Sequence, residues 1–302
     1  MSSPIFQNPK SGSIKLSGTY EIVDEQGNVL ESVSDPKLCG CGLSQTKPLC
    51  DKSHANYVAN VVRMLEDARS TVMAVNPVGV WPLRAFEIRK RALENRIASG
   101  EKLIGIKFGG ALLKGEGEKR YEGIYGYLTD AMLVRSELKL QDFIHPIAEA
   151  EIVFKLSRPL NREISAAEAL DFVEELAPGI EVFDCRYGAI DPFIDDAIAD
   201  NACAGAIAIG DWASAKSLDP INATIEIFEG NQLKESVPAT NIAGNPWNAL
   251  ANVSKRLIAD GVSLPEGSIV FSGSATTGIV MKASEYRVEI SGLGSVSFNA
   301  IN

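Results

Sequence analysis

The sequence predicts an α+β chain in two parts: a small β-rich unit at the N-terminus, then a large domain built on a mixed β-sheet with flanking helices. Three observations carry this. Apolar residues alternate in short stretches over residues 14–34, helical spacing takes over near 58–65 and again at 82–98, and strand-like runs follow at 103–108, 147–156 and 180–184. At 302 residues, 45% apolar and 23% charged, the chain has room for a large domain, 57–302, and a small one, 1–56. Lys+Arg 29 against Asp+Glu 39 leaves a net charge of −10, which sets any extended nucleic-acid surface against the protein's own field. Residues 1–18 contain no apolar signal region and nothing near the ~20 residues of a membrane span. A cytoplasmic protein without nucleic-acid or membrane partners is expected.

In the small unit, Ile14, Leu16, Tyr20 and Ile22 roughly alternate, and Glu25-Gln26-Gly27-Asn28 forms a turn before Val29-Leu30. Three of the five Cys and one of the two His then fall within residues 39–54. A unit this small buries little core, so an internal metal centre is a physically sensible staple. Three Cys and one His suit a four-coordinate centre better than disulfides in a reducing compartment. Their spacing departs from the paired C-x2-4-C pattern of common zinc sites and leans towards an iron–sulphur cluster, with a zinc knuckle as the alternative. Cys185 and Cys203 have no Cys or His neighbours in sequence and read as small buried hydrophobes.

The segment Cys39-Gly40-Cys41-x2-Ser44-x3-Pro48-x-Cys50-Asp51-Lys52-Ser53-His54 resembles the CDGSH iron–sulphur family, whose motif is C-x-C-x2-(S/T)-x3-P-x-C-D-G-(S/A/T)-H. The resemblance covers about residues 12–56 and implies a 2Fe-2S cluster, with Cys39 and Cys41 on one iron and Cys50 and His54 on the other. One neutral imidazole in place of a thiolate raises the potential and makes such a site sensitive to protonation. Lys52 stands where the family has Gly, which matters if that position needs a positive φ. Single-motif members of the family commonly pair as dimers.

In the large domain, Phe86, Ile88, Leu93 and Ile97 space a helix over 82–98, with Pro82 at its start and Gly100 past its end. Its Arg89-Lys90-Arg91 run reads as a solvated face. The strand 103–108 leads to glycines at 109–110, 115, 117 and 123 that lack the strand-then-helix setting of a phosphate loop. From Ile147 to Leu156 the pattern is a strand, so Glu149 and Glu151 project to one face ~6.6 Å apart. Two adjacent carboxylates indicate either an exposed face or a divalent-metal site. After a helix expected from the capping box Ser165-x-x-Glu168, Glu181 lies in the otherwise apolar run 180–184, where an unpaired charge is costly. Three hard oxygen ligands from two strands are what Mg²⁺ or Mn²⁺ accepts.

From about Val58 to the end the chain resembles the fumarylacetoacetate hydrolase superfamily, in its 2-keto-4-pentenoate hydratase and 4-oxalocrotonate decarboxylase branch. The residues that carry this are Gly105-x-Lys107-x-Gly109, Gly126-x-Leu128-x-Asp130, Pro146-x2-Glu149-x-Glu151-Ile152-x-Phe154, Glu181-x2-Asp184-x-Arg186, Ala199-Asp200-Asn201-Ala202, Gly244-Asn245-Pro246-x-Asn248-Ala249 and Gly292-Leu293-Gly294-Ser295-Val296. The resemblance implies that superfamily's mixed β-sheet roll, Mg²⁺ or Mn²⁺ on Glu149, Glu151 and Glu181, and Lys107 and Asp130 as catalytic groups. Asp184, one step off the face of Glu181, is expected to support a ligand rather than be one. The implied substrate is an unsaturated 2-keto acid that chelates the metal through its carboxylate and C2 oxygen, with hydration ahead of decarboxylation. Relatives of the large domain are homo-oligomers, so an oligomer is expected.

Three departures bear on the substrate: Gly110-Ala111 replaces a Leu-Thr/Ser pair, Ala131 stands where many members have a second acid, and Ala283-Ser284-Glu285 replaces a late Pro-Gly-Asp turn. The hydrolase branch uses a His–Glu pair for C–C cleavage. Here the inventory offers only His54, taken by the cluster motif, and His145. From another class comes a redox or sensor protein, with an electron-transfer partner, in which the cluster is the active element and the large domain a binding scaffold. An intact glutamate set argues for the lyase.

Overall fold

The computed structural model describes residues 5–8, 13–40, 44–52, 56–76, 79–80, 82–109, 123–187 and 193–302. They fall into two compact units, Met1–Arg63 and Met64–Asn302, with the division inside the helix Tyr57–Thr71.

The first unit holds a sheet of three two-residue strands, Phe6–Gln7, Ile14–Lys15 and Lys37–Leu38, and a hairpin of Thr19–Val23 with Val29–Ser34. The turn expected at 25–28 is present. Asp24 ties it by accepting from Gln26 N and from the main-chain and side-chain nitrogens of Asn28, and Gly27 takes a φ of +87°. Before Tyr57 no described Val, Ile, Leu, Phe or Tyr is buried. The strands therefore have almost no apolar core of their own.

The second unit stacks two sheets. The larger runs in the order Ala204–Ile209, Val173–Phe183, Ile147–Leu156, Ile269–Phe271, Leu103–Gly109, Ile124–Thr129, with Ala213–Ser214 on Val173–Phe183 and Ile279–Val280 on Ile147–Leu156. The smaller runs Gln232–Pro238, Thr224–Glu229, Ser284–Ile290, Gly294–Ile301, Glu137–Lys139. Two pairings are parallel, Ile269–Phe271 with Leu103–Gly109 and Gly294–Ile301 with Glu137–Lys139, so the mixed sheet with flanking helices is as expected. Ile152, Phe154, Ile180 and Val182 meet Ile225, Ile227, Val288 and Phe298 in the core between the sheets. A second cluster, with Val153, Ala177, Ile207 and Phe271, covers the other face of the larger sheet. Burial on both faces explains why these strands read as nearly continuous apolar runs.

The helix Pro82–Ala98 forms, and Gly100 follows it at φ +106°. Arg89 corrects the expectation of a solvated basic face: it is only 2% exposed. It shares a helix face with Ala85, Ile88 and Ala92. Its Nη1 donates to the Tyr125 carbonyl at 2.5 Å, and its guanidinium lies 3.7 Å from the Tyr125 ring centre. Lys90 and Arg91 do face solvent. The helix expected after Ser165 is also corrected. Glu168 accepts from Ser165 N and Oγ, half of a capping box, but only a short 3-10 turn at Ala169–Phe172 follows before the strand at Val173. Pairing along Val173–Phe183 overrides the local helix signal. Ala283-Ser284-Glu285 leads into the strand Ser284–Ile290, whereas a turn lies earlier, where Ser268 N donates to Pro265 O and Gly267 takes φ +78°.

The parallel contact in the larger sheet depends on Gly105, where a Cβ would lie 1.9 Å from the Ile269 carbonyl oxygen. Neither main chain can yield without breaking the ladder. Gly105→Ala should destabilise by about 2 kcal/mol or more, which is roughly 4–8 °C in Tm; a thermal melt unchanged from the parent would refute this close approach.

Candidate active site

Strand alternation gathers four charged side chains on one face of the larger sheet. Ala148, Ala150, Ile152 and Phe154 point into the core between the sheets, so Glu149 and Glu151 point the other way. By the same rule Ile180 and Val182 leave Glu181, and Ile106 and Phe108 leave Lys107, on that second face. Glu181 pairs directly with Glu149 across the antiparallel ladder, and Gly179 lies opposite Glu151. One carboxylate oxygen from each of Glu149, Glu151 and Glu181 lies within 4.8 Å of the others.

Lys107 comes from farther off. Three inter-strand steps of ~4.8 Å separate its strand from that of Glu181 in a flat sheet, yet its Nζ is 2.8 Å from Glu181 Oε1. The sheet curls to make this contact, and the intervening strand ends at Phe271, the residue paired with both Lys107 and Val153. Beyond Phe271, Gly273 N donates to Glu151 Oε2 at 2.8 Å. Glu151 Oε1 is buried with no hydrogen-bond partner among the described residues.

The charges are unbalanced. Burial works against the Lys107 ammonium, but the carboxylates of Glu181 and then Glu149 outweigh it and raise its pKa. Burial, then the charge of Glu181, pushes Glu149 up to about 7. The same two causes push Glu151 well above the ordinary carboxyl range. One ammonium cannot offset three ionised carboxylates, two of them buried and that of Glu149 half-buried. The orphaned Glu151 oxygen and the all-oxygen donor set together fit a divalent hard cation, which would take the place of the retained protons.

Asp130 is not brought to this cluster. It is exposed beyond the end of its strand, where its Oδ1 accepts from Lys102 N at 2.8 Å. Asp184 has a supporting position: Oδ1 accepts from Ile144 N and His145 N at 3.0 and 2.7 Å, holding the chain just before the strand of Glu149 and Glu151. His145 itself is exposed. Sequence reasoning missed the roles of Asp200 and Asn201. Asp200 binds buried Arg186 through Nε at 2.5 Å, and Asn201 exchanges hydrogen bonds with Tyr127 N and O. Asn201, Ala202 and Cys203 all have φ between 53° and 57°, and their turn presses on Gly126, where a Cβ would lie 2.1 Å from Asn201 O. Gly126 pairs with Lys107, so this strained turn backs the strand beside the site. Cys185 and Cys203, apart in sequence, are both buried and lie with Asp200 in one cluster of potential ligand atoms. A separate cavity of about 850 Å³, lined by Arg96, Tyr127, Met132, Arg135 and Arg186 among others, does not include the glutamates or Lys107.

In the N-terminal unit, Cys41 and His54, with Ser53, lie outside the described residues, as does Gly110-Ala111 of the large domain. Leu38 pairs with Leu49, which puts Cys39 and Cys50 on the same face of that bridge. Ser44 Oγ donates to Leu49 O at 2.6 Å and Asp51 Oδ2 accepts from Gln45 N at 2.9 Å, closing the loop between the cysteines. Lys52 does adopt a positive φ, +71°, the conformation the motif glycine would take without strain.

Residues 11–55 match the family described as the iron-binding zinc finger of CDGSH type. The chain is 28% identical to a 4-oxalocrotonate decarboxylase from Pseudomonas sp over 250 residues, covering 80% of this chain and 97% of that protein. It is 31% identical to a 2-hydroxypent-2,4-dienoate hydratase from Pseudomonas putida over 218 residues, covering 68% of this chain and 97% of the relative. Its fold is similar to that of the 4-oxalocrotonate decarboxylase from Pseudomonas putida G7 complexed with magnesium and adipate, with a TM-score of 0.76 at 23% identity, covering 82% of this chain and 98% of the other. No helix among the described residues is long and apolar enough to cross a membrane.

Without a cation, the folded protein holds the Glu149 proton up to about pH 7, whereas the unfolded chain releases it near 4.5. This group's contribution to stability is therefore complete below about pH 4.5 and lost as pH rises through about 7. The Tm of chelator-treated protein should fall across that window, and Glu149→Gln should flatten the fall. An identical profile in the variant would place the shifted proton elsewhere.

Proposed function

The chain belongs to the 2-keto-4-pentenoate hydratase and 4-oxalocrotonate decarboxylase family of the fumarylacetoacetate hydrolase superfamily, and we propose that it is a lyase dependent on Mg²⁺ or Mn²⁺ that hydrates an unsaturated 2-keto acid, taken as its 2-hydroxydienoate. The observation that carries this is the convergence of Glu149, Glu151 and Glu181 on one buried point beside Lys107. Bound by those three carboxylates, the cation would supply Lewis acidity towards the carboxylate and C2 oxygen of a 2-keto acid.

The protein's own groups set the rest. Lys107, the one basic side chain drawn into the cluster and held at 2.8 Å from Glu181, is placed to give a hydrogen bond to the substrate and to move its proton. Its ion pair with Glu181 fixes the Nζ beside the substrate position and keeps its charge facing any substrate anion. The Phe183 ring, 5.6 Å from Nζ, and buried Phe271 limit water around the donor. Asp184 supports the entry to the glutamate strand from outside the reacting groups. Hydration needs no electron transfer, so the N-terminal unit is accessory. We assign it a 2Fe-2S cluster on Cys39, Cys41, Cys50 and His54, supported by the match to an iron-binding family and by the shared face of Cys39 and Cys50.

With Mg²⁺ present, the protein should bleach the ultraviolet band of 2-hydroxypent-2,4-dienoate. Glu149→Ala and Glu181→Ala should each cut kcat/KM by about 100-fold or more, on the scale of losing a metal's transition-state stabilisation. Wild-type rates in all three Glu→Ala variants would sink the lyase reading, and CO₂ release from a 4-oxalocrotonate substrate without hydration would move the reaction to decarboxylation. Anaerobically purified protein should contain two irons per chain. Cys39→Ser and Cys50→Ser should lose iron and visible colour while retaining bleaching, whereas iron-free wild type would refute the cluster.

A further inference from the structure

The strand carrying Glu149 and Glu151 has an irregular neighbour. Val153 pairs with Phe271 and Ala148 with Ile279, so five steps along the glutamate strand are matched by eight along the other chain. Three extra residues bulge out of the ladder directly beside the two glutamates. Bulges of this kind re-aim side chains, and they leave main-chain groups that must find other partners.

Ala150 and Ile152 are fully buried, and their N–H groups point to this edge. In a regular ladder they would donate to main-chain carbonyls, as Leu156 N does to Ser268 O at 2.9 Å. Instead Ile152 N donates to Ser272 Oγ at 3.1 Å and Ala150 N to Thr276 Oγ1 at 3.3 Å. The carbonyls of Ile152 and Ala150 still accept from Ser272 N and Ala275 N. Two hydroxyls thus stand in for two ladder carbonyls. The side chain bridges the distance that the bulged main chain no longer spans.

The displaced chain is then free to turn inward. Gly273 takes φ +93°, its N–H reaches Glu151 Oε2, and a Cβ there would lie 3.0 Å from Phe108 O. The bulge is fixed from the far side, where Asn241 Nδ2 donates to Ala275 O at 3.1 Å and Thr277 N to Glu235 Oε1 at 3.2 Å. Ser274 Oγ accepts from Thr276 N and so sets the turn that presents Thr276.

We propose that Ser272 and Thr276 are positioning residues for the glutamate cluster: their hydroxyls hold the bulge that puts the Gly273 N–H on one oxygen of Glu151 and leaves the other oxygen for a cation. The inference rests on the metal-site reading above and adds what orients its ligands. Removing partners of ligating carboxylates elsewhere weakens metal sites by about 10–100-fold.

The test is Mn²⁺ binding to the full chain by electron paramagnetic resonance, together with hydrogen exchange over residues 148–153. Thr276→Val and Ser272→Ala should weaken Mn²⁺ by about 10–100-fold, while Thr276→Ser stays within about threefold of the parent. Exchange at Ala150 should quicken in Thr276→Val and be restored in Thr276→Ser. Parent-like Mn²⁺ affinity in both Thr276→Val and Ser272→Ala would overturn the proposal. If the parent itself binds no Mn²⁺, the metal reading fails and the exchange data decide the positioning claim, unchanged protection in Thr276→Val overturning it. Should Thr276→Val not fold, Ser272→Ala carries the test alone, and parent-like Mn²⁺ affinity in that variant overturns the proposal.

Discussion

Three carboxylates and one ammonium share a buried space in this protein, and much of the larger sheet can be understood as the means of holding that imbalance. Glu149 and Glu181 face each other directly across an antiparallel pair, an arrangement that repels unless opposite charge is supplied. Lys107 supplies part of it at 2.8 Å from Glu181. The Gly273 N–H supplies a partner for Glu151. What remains is more carboxylates than the ammonium can balance, so Glu149 and Glu151 hold their protons to raised pH and one Glu151 oxygen is left without a described partner. A divalent cation answers all of these at once, which is why the chemistry is proposed at this point and not in the separate cavity.

Bringing Lys107 to Glu181 requires a curled sheet and an early end to the strand between them. Residues without catalytic chemistry carry that requirement. Gly105 lets two parallel strands approach, Gly126 admits the left-handed turn at Asn201–Cys203, and Gly179 leaves room for Val153 and Phe271. Several motif residues serve as structural supports: Asp200 neutralises buried Arg186, Asn201 clamps Tyr127, and Asn245 caps the helix Pro246–Ala259 by accepting from Trp247 N.

The N-terminal unit solves a different problem. Its short strands leave apolar side chains at the surface, so polar links must order the loop: Asp24 in the hairpin turn, Ser44 and Asp51 between the cysteines. The two proposed centres would divide the ligand types, soft ligands that include Cys39 and Cys50 in the small unit and the three glutamates in the large domain.

The sequence by itself determined the strand 147–156, the common face of Glu149 and Glu151, the helix 82–98 and the cysteine-rich motif, because alternation, helical spacing and ligand spacing are local properties of the chain. It misjudged Arg89, whose basic neighbours suggested solvent but whose guanidinium fits a tyrosine-lined site that only packing creates. It misjudged the segment after Ser165 for the same reason, since pairing with the glutamate strand outweighed a sound capping signal. Asp130 follows the strand Ile124–Thr129 and opens a 3-10 turn that leaves it exposed, a placement nothing in the local pattern distinguishes from one at the cluster. Only the tertiary structure decided that Lys107 meets Glu181, that Asn201 presses on Gly126, and that Ser272 and Thr276 replace ladder carbonyls. Those contacts join residues some 70 to 130 positions apart, and their geometry depends on how a sheet curls and bulges, which a one-dimensional pattern does not encode.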